Sequence, residues 1–382
     1  MLMQTVFLVF GLTGDLMRYK GIPALFALYR AGSLPSSFRI LGFSRKQWDN
    51  AAIRMLITTS LGDRASETEI ASFAELFEIV QGEGTEPASY SALKAAAGTP
   101  EQLITYLCVS PELYAPIVEN LGSSGMLAPN TRLLIEKPFG RNLESAAALQ
   151  ALLLNYVPEE HIFRIDHYLA KDGVALLGQE NPANIAEIDV FLLETAGVEK
   201  RGAVYDAVGC LRDVGQNHML EMLATAAGGN REEVLRGLHT LTPEESATQT
   251  ARGQYEGYRL IEGVSPNSQT ETYFKINTTL AAGAHQIAVL LEAGKRLATQ
   301  RKEVVIRRTD GSSVTVSLDS KNNEYETLFS EAFAGNRNRF VSMSEVEVLW
   351  GFLSPIQAQW DKGAVPLVPY APDTDTICET SR

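Results

Sequence analysis

Cysteine is scarce in this 382-residue chain, and the three present, Cys108, Cys210 and Cys378, lie far apart. That spacing forms neither a disulfide framework nor a metal-ligand pattern, so a reducing compartment, the cytoplasm, is the expected setting. Basic residues are also few, 33 against 46 acidic ones, for a net charge of −13. This balance argues against a general nucleic-acid binder and against an anionic membrane surface as partner. A locally basic pocket for a phosphorylated small molecule stays open, because net charge is only a sum. No uninterrupted apolar run reaches membrane-spanning length. The chain begins Met1-Leu2-Met3-Gln4 and enters an apolar segment with no basic region or small-residue cleavage site before it, so a soluble protein is expected. Histidine is rare too, five in all, and two of these sit in dense polar segments.

At this length two domains are the natural division. Residues 5–10 read as a buried strand closed by Gly11. A helical stripe follows from Leu16 to about Ala31, and Pro23 predicts a break near Lys20–Ile22. Residues 39–44, 103–109 and 131–135 read as further strands, with helices over 47–61, 66–80 and 111–121. Alternation of this kind implies a parallel sheet covered on both faces. After about residue 170 the pattern changes. Residues 185–193 are strand-like, 213–227 read as a helix, and 229–269 as loop with a short helix. Phe274-Lys275-Ile276-Asn277 and Val314–Leu318 alternate as half-solvated antiparallel strands do. Asp310-Gly311 between two apolar runs predicts a hairpin. Helices are expected over 324–334 and 344–361, and loose chain from Ala371. The class is α/β: a Rossmann-like dinucleotide-binding domain over 1–165, then an α+β domain with a large, mainly antiparallel sheet over 166–382.

Gly11-Leu12-Thr13-Gly14-Asp15-Leu16 follows the first strand and opens the first helix. Glycines there permit a tight turn and let backbone N–H groups reach a pyrophosphate at the helix start. Ser44-Arg45-Lys46 ends the second strand, where a dinucleotide fold meets the adenosine ribose. A carboxylate at that point suits NAD and a cation suits the 2′-phosphate of NADP; here the cation is present, so NADP is favoured over NAD. Glu136-Lys137-Pro138 follows a later strand at the sheet edge where ligands of such folds bind, which makes Lys137 a candidate bridge between cofactor and substrate. The two polar histidine segments are Arg164-Ile165-Asp166-His167-Tyr168-Leu169-Ala170-Lys171 and Leu211-Arg212-Asp213-Val214-Gly215-Gln216-Asn217-His218. His167, Tyr168 and Lys171 supply an imidazole, a phenol and a compact cation, all suited to a phosphate; on a helix His167 and Lys171 would share a face. Asp166 then points away and is left to orient another group. His218 with a buried carboxylate on one ring nitrogen would keep the other as a base. No metal is suggested by these residues.

GLTGDL, ILGFSR, EKPFG, RIDHYLAK, YDAVGCLRDVGQNH and EAGKRL, in this order, resemble the signatures of the glucose-6-phosphate dehydrogenase family. The resemblance implies NADP-dependent oxidation of glucose 6-phosphate at C1 to 6-phospho-glucono-1,5-lactone, within glucose metabolism, by a homodimer. It implies that His218 is the general base and Asp166 its partner carboxylate. His167, Tyr168 and Lys171 resemble the 6-phosphate binders; Glu194, Asp213 and Lys295 match positions at sugar hydroxyls or the phosphate side. Lys137 matches the lysine near substrate and nicotinamide, while Gly11, Gly14, Asp15 and Leu16 match the cofactor turn and Arg45 the 2′-phosphate contact. The chain departs from the family at Gly21, at Ala170 and in a trimmed stretch between Lys171 and Glu194; Arg296, Arg301 and Lys302 do not align simply. A dehydrogenase of a related sugar phosphate, acting on an amino-hexose phosphate or at another carbon, is the alternative reading. A non-catalytic sugar-phosphate or nucleotide sensor ranks below it.

Overall fold

The computed structural model describes residues 4–128, 130–375 and 377, so Cys378 lies outside the described residues. The chain divides into two compact units, Met1–Ala170 with Lys321–Met343, and Lys171–Ser320 with Ser344–Arg382. The strands are β1 (Gln4–Phe10), β2 (Ser37–Ser44), β3 (Phe77–Gln81), β4 (Gln102–Leu107), β5 (Arg132–Glu136), β6 (Ile162–Ile165), β7 (Ile185–Leu193), β8 (Thr250–Tyr255), β9 (Tyr273–Ala282), β10 (His285–Gly294), β11 (Arg301–Arg308), β12 (Ser313–Ser317), β13 (Phe340–Val341) and β14 (Leu367–Tyr370).

The first unit is built on one sheet in the order β13-β6-β5-β4-β1-β2-β3. Every pair from β6 to β3 is parallel, and β13 closes the edge antiparallel to β6. The central strands are apolar along their length because helices cover both faces. The strand order reverses at β1, with β2 on one side and β4 on the other, and ligands of open α/β sheets bind outside the strand ends at such a point. Residues 77–81, expected to continue a helix, form the edge strand β3 beside β2. The preceding helix stops at Ala74 with neither glycine nor proline to mark its end, so pairing with β2 rather than local sequence sets the boundary.

Assigning everything beyond residue 165 to a second domain is corrected by Lys321–Met343, which returns to the first unit. The helix Glu324–Ala334 carries Tyr325, Leu328, Phe329 and Ala332 on one apolar stripe, and all four enter the core beneath β1 and β4. Phe329 sits with its ring centroid 5.3 Å from Phe7 and 5.6 Å from Tyr106. Arg132 reaches the end of this helix and donates to the carbonyls of Ala332 and Phe333. No sequence signal separates such a return from a helix of the second unit, because its amphipathic stripe fits either core.

The second unit holds the sheet β12-β11-β7-β10-β9-β8-β14. Four of its six pairings are antiparallel; β7 with β10 and β8 with β14 are parallel. The hairpin at Asp310-Gly311 forms, with Gly311 at φ +86° and the Asp310 carboxylate accepting from the Ser312 N–H. β8 occupies residues expected to be loop. Within the segment from Ala371, expected to be loose, the described residues 371–375 are held: the Asp373 N–H donates to the Arg296 carbonyl at 2.8 Å and Asp375 accepts from the Thr299 N–H at 3.0 Å. Among the described residues no helix is long and apolar enough to cross a membrane.

Candidate active site

The turn after β1 requires glycine at its first position. Gly11 has φ +87°, and a Cβ there would lie 2.0 Å from the Cys108 carbonyl oxygen. The Gly14 N–H donates to the Gly11 carbonyl at 2.9 Å, which closes the turn, and Asp15 is exposed at its rim. Leu16 then leads into a π-helical turn, Met17–Gly21, in which the Ile22 N–H reaches back to the Met17 carbonyl. Pro23 has no N–H to give an α-helical bond, so the wider turn falls at the predicted break and Ile22–Arg30 continues as regular helix. Beside this turn a cleft of about 440 Å³ is lined by Thr13, Arg18, Ser44, Arg45, Lys46 and Trp48. Ser44 fixes its floor, accepting from the Trp48 indole N–H at 3.1 Å and the Lys46 N–H at 3.2 Å. Tight glycine turn, helix start and strand-end cleft together fit a nicotinamide dinucleotide.

At the end of β5, Glu136 accepts from the hydroxyls of Tyr106 at 2.6 Å and Tyr325 at 2.9 Å, and its carbonyl accepts from Tyr114 at 2.8 Å. Burial pushes the Glu136 carboxyl up to about 7, although the tyrosine hydroxyls and Lys137 favour its charged form. Glu136 is thus a buried carboxyl held by two tyrosine hydroxyls. The following Lys137–Pro138 peptide is cis. Burial also pushes the Cys108 and Cys210 thiols up, which leaves both unreactive at neutral pH.

Asp166 is buried where β6 ends. Its Oδ1 accepts from the Tyr168 N–H at 2.9 Å and its carbonyl from the Leu169 N–H at 3.1 Å, so it caps a 3₁₀ turn, His167–Ala170. One oxygen of Asp166 is therefore committed to this turn. The rings of His167 and Tyr168 meet edge to face with centroids 5.0 Å apart. The helical spacing expected for His167 and Lys171 is not found: the 3₁₀ turn ends at Ala170 and Lys171 is extended, at φ −68° and ψ 149°. Arg339 braces the turn by donating to the Leu169 carbonyl at 2.8 Å. The buried Arg164 holds β6 itself through Glu159 at 2.8 Å.

In the second unit the parallel pairing of β7 with β10 sets Leu193 opposite Gly294. Glu194 and Lys295 are the next residues of each strand, so they leave the sheet side by side and pair. On the other flank, β11 sets Lys302 opposite Leu192, and its ammonium lies 3.0 Å from the second oxygen of Glu194. Burial raises and the two lysines lower the Glu194 pKa, and the lysines win. For Lys295, burial lowers the pKa, but Glu194 and, further off, Asp213 outweigh it and hold the ammonium charged. The Tyr205 ring faces Lys295, 5.6 Å from ammonium to centroid. A carboxylate flanked by two lysines leaves one net positive charge at a group of hydrogen-bonding side chains.

Asp213 and His218 lie on a π-helical segment, Leu211–Met219, that runs into the helix Leu220–Ala227. On an α-helix residues five apart are about 1.4 turns apart, so they face about 140° away from each other. The i to i+5 bonding found here instead stacks them one turn apart. His218 is 2% exposed. The segment is anchored at its start by the buried Glu271, which accepts from the Leu211 N–H at 2.9 Å. Gly209 makes room for that carboxylate: at φ +78°, a Cβ would lie 2.5 Å from its Oε1.

Residues 8–175 match the model of the glucose-6-phosphate dehydrogenase NAD binding domain, and residues 178–324 and 309–378 match the C-terminal domain of the same family. The chain belongs to the glucose-6-phosphate dehydrogenase family. The glucose-6-phosphate 1-dehydrogenase of Helicobacter pylori is 29% identical, with 95% of each chain covered. Glucose-6-phosphate 1-dehydrogenase 1 of Mycobacterium tuberculosis is 34% identical over 78% of this chain and 68% of its own. The crystal structure of the Mycobacterium avium glucose-6-phosphate 1-dehydrogenase superposes with a TM-score of 0.83 at 27% identity, over 98% of this chain and 95% of that one.

Within each unit the structure groups most residues singled out by sequence. Gly11, Gly14, Asp15 and Leu16 form the glycine turn, Arg45 lines the cleft beside it, and Asp166, His167 and Tyr168 form one capped turn. Glu194, Asp213 and Lys295 share one electrostatic neighbourhood. Lys302, Tyr205 and Arg18 were not selected from the sequence. The register of β11 identifies Lys302, which no motif marks. Tyr205 does lie within a quoted motif, and Arg18 is the basic residue one turn after the glycines.

Proposed function

We propose that the chain oxidises glucose 6-phosphate at C1 to 6-phospho-glucono-1,5-lactone with NADP as acceptor. The observation that carries this reading is the match of both domains of one dehydrogenase family along the chain, in relatives named glucose-6-phosphate 1-dehydrogenase. Oxidising a hemiacetal carbon removes a proton from its hydroxyl and a hydride from the carbon. His218 takes the proton, as a neutral imidazole does near physiological pH. Asp166 stabilises the imidazolium that forms, the role of the acid in a His–Asp pair. His167, Tyr168 and Lys171 bind the 6-phosphate, and this remote contact supplies the energy that positions C1.

Glu194 and Asp213 accept from sugar hydroxyls. Lys295, kept charged by its carboxylate neighbours, offers fixed N–H donors. Lys137 stands between sugar and nicotinamide. The bound nicotinamide supplies the hydride acceptor. Gly11, Gly14, Asp15 and Leu16 hold its pyrophosphate side. Arg45 and Lys46, with no carboxylate at the end of β2, favour the 2′-phosphorylated form. A homodimer in the cytoplasm belongs to the same reading and rests on the family resemblance.

The test is His218→Asn, assayed by reduced-nicotinamide absorbance over a panel of sugar phosphates. Glucose 6-phosphate should be the preferred substrate of the unaltered chain. The variant should lose about 10²- to 10⁴-fold in turnover, the usual share of a general base, while calorimetry shows unchanged glucose 6-phosphate binding. Retained turnover would remove His218 from the role of base.

A further inference from the structure

Arg18 stands out among the cations of the first unit. It lies in the π-helical turn after the glycines and lines the same cleft as Thr13, Ser44, Arg45, Lys46 and Trp48. Its Nε is shielded from solvent without a hydrogen-bond partner, and its guanidinium makes no ion pair among the described residues. A shielded charged N–H without an acceptor costs free energy that an oxyanion would recover. The other cations of the cleft are not neutralised either. Arg45 is largely exposed and pairs, among the described residues, only with Glu83, at 4.0 Å. Three cations thus border one cleft, with a single carboxylate among the described residues at the limit of pairing distance.

The two arginines come from different elements, Arg18 from the turn after β1 and Arg45 from the end of β2. The parallel pairing of β1 with β2 sets Phe10 opposite Phe43, which brings both departures to one edge. An arginine fork matches phosphate oxygens two at a time, which a lysine does not do.

We propose that Arg18 is a second contact for the adenosine 2′-phosphate of NADP and, with Arg45, determines the preference for the phosphorylated cofactor. The inference rests on the NADP reading and adds to it a residue that the strand-end pattern does not contain. Trp48 forms the wall of the cleft and its Ser44 bond holds the loop after β2 in place.

The probes are 2′,5′-ADP and 5′-AMP, which differ only in the phosphate at issue, titrated calorimetrically into the full chain. The unaltered chain should bind 2′,5′-ADP more tightly. Arg18→Met should weaken 2′,5′-ADP by about tenfold or more, the scale of a lost charged hydrogen bond, and leave 5′-AMP unchanged. Arg18→Lys should recover part of the loss, and an unchanged thermal midpoint shows that each variant is folded. If Arg45→Ala removes the preference and Arg18→Met does not, the Arg18 inference is overturned and the NADP reading stands. Equal weakening of both probes by Arg18→Met also overturns the inference. If the unaltered chain shows no preference at all, the NADP reading itself falls.

Discussion

Glu136 is the residue whose behaviour departs furthest from its sequence context. In Glu136-Lys137 it reads as half of a surface ion pair, yet it is held by two tyrosine hydroxyls from β4 and from the returning helix Glu324–Ala334. Its carboxyl is raised from 4.5 to about 7, so the folded state favours the protonated form. The contribution to stability is therefore present below the unfolded value and is lost as pH rises through the folded one. Urea unfolding of the unaltered chain should show the loss, about 1 to 3 kcal/mol, as pH rises from about 4.5 to about 7. Glu136→Gln, which cannot ionise, should lack that component. An identical pH dependence in the two proteins would assign the titration to another group. Neither the tyrosine partners nor the burial is visible in the string Glu-Lys-Pro, because both partners arrive from distant strands and helices.

Elements were legible where their signal is local. The glycine turn, β1, β2, the Asp310-Gly311 hairpin and the helix Glu324–Ala334 all carry periodicity or turn chemistry in the residues themselves. Elements fixed by partners were not legible. β3 forms because β2 offers an open edge, and β6, four residues long and interrupted by Arg164, is too short to show a distinguishing period. The same limit applied within the candidate site. Four-residue spacing places His167 and Lys171 on one helix face. The backbone is 3₁₀ at that turn and π-helical from Asp213 to His218, and no propensity rule announces either. Docking of the helix Glu324–Ala334 is testable at this scale. Phe329 is fully buried among Phe7, Tyr106 and Tyr325. Phe329→Ala should destabilise the first unit by about 3 to 5 kcal/mol, read as a lower denaturant midpoint; a change within about 0.5 kcal/mol, typical of a surface site, would contradict the packing described.

For the whole molecule, the chain is not cut once into two domains but crosses back, so that residues 321–343 complete a unit begun at the other end. The family match, which spans both units, says nothing of that crossing, and only the packing of the helix Glu324–Ala334 reveals it. Charge follows the same division between sum and locality. A net charge of −13 is unfavourable for phosphorylated ligands at long range, but screening limits its reach to about 8 Å at physiological salt. Local charge differs from the sum: Arg18, Arg45 and Lys46 border one cleft, and Lys295 and Lys302 flank Glu194 in the other unit. The central claim, hydride removal from C1 of glucose 6-phosphate, has a direct test. With substrate carrying deuterium at C1 alone, the reduced nicotinamide isolated after one turnover should contain the deuterium. Reduced nicotinamide without the label, or no reduction with this substrate, would contradict the claim.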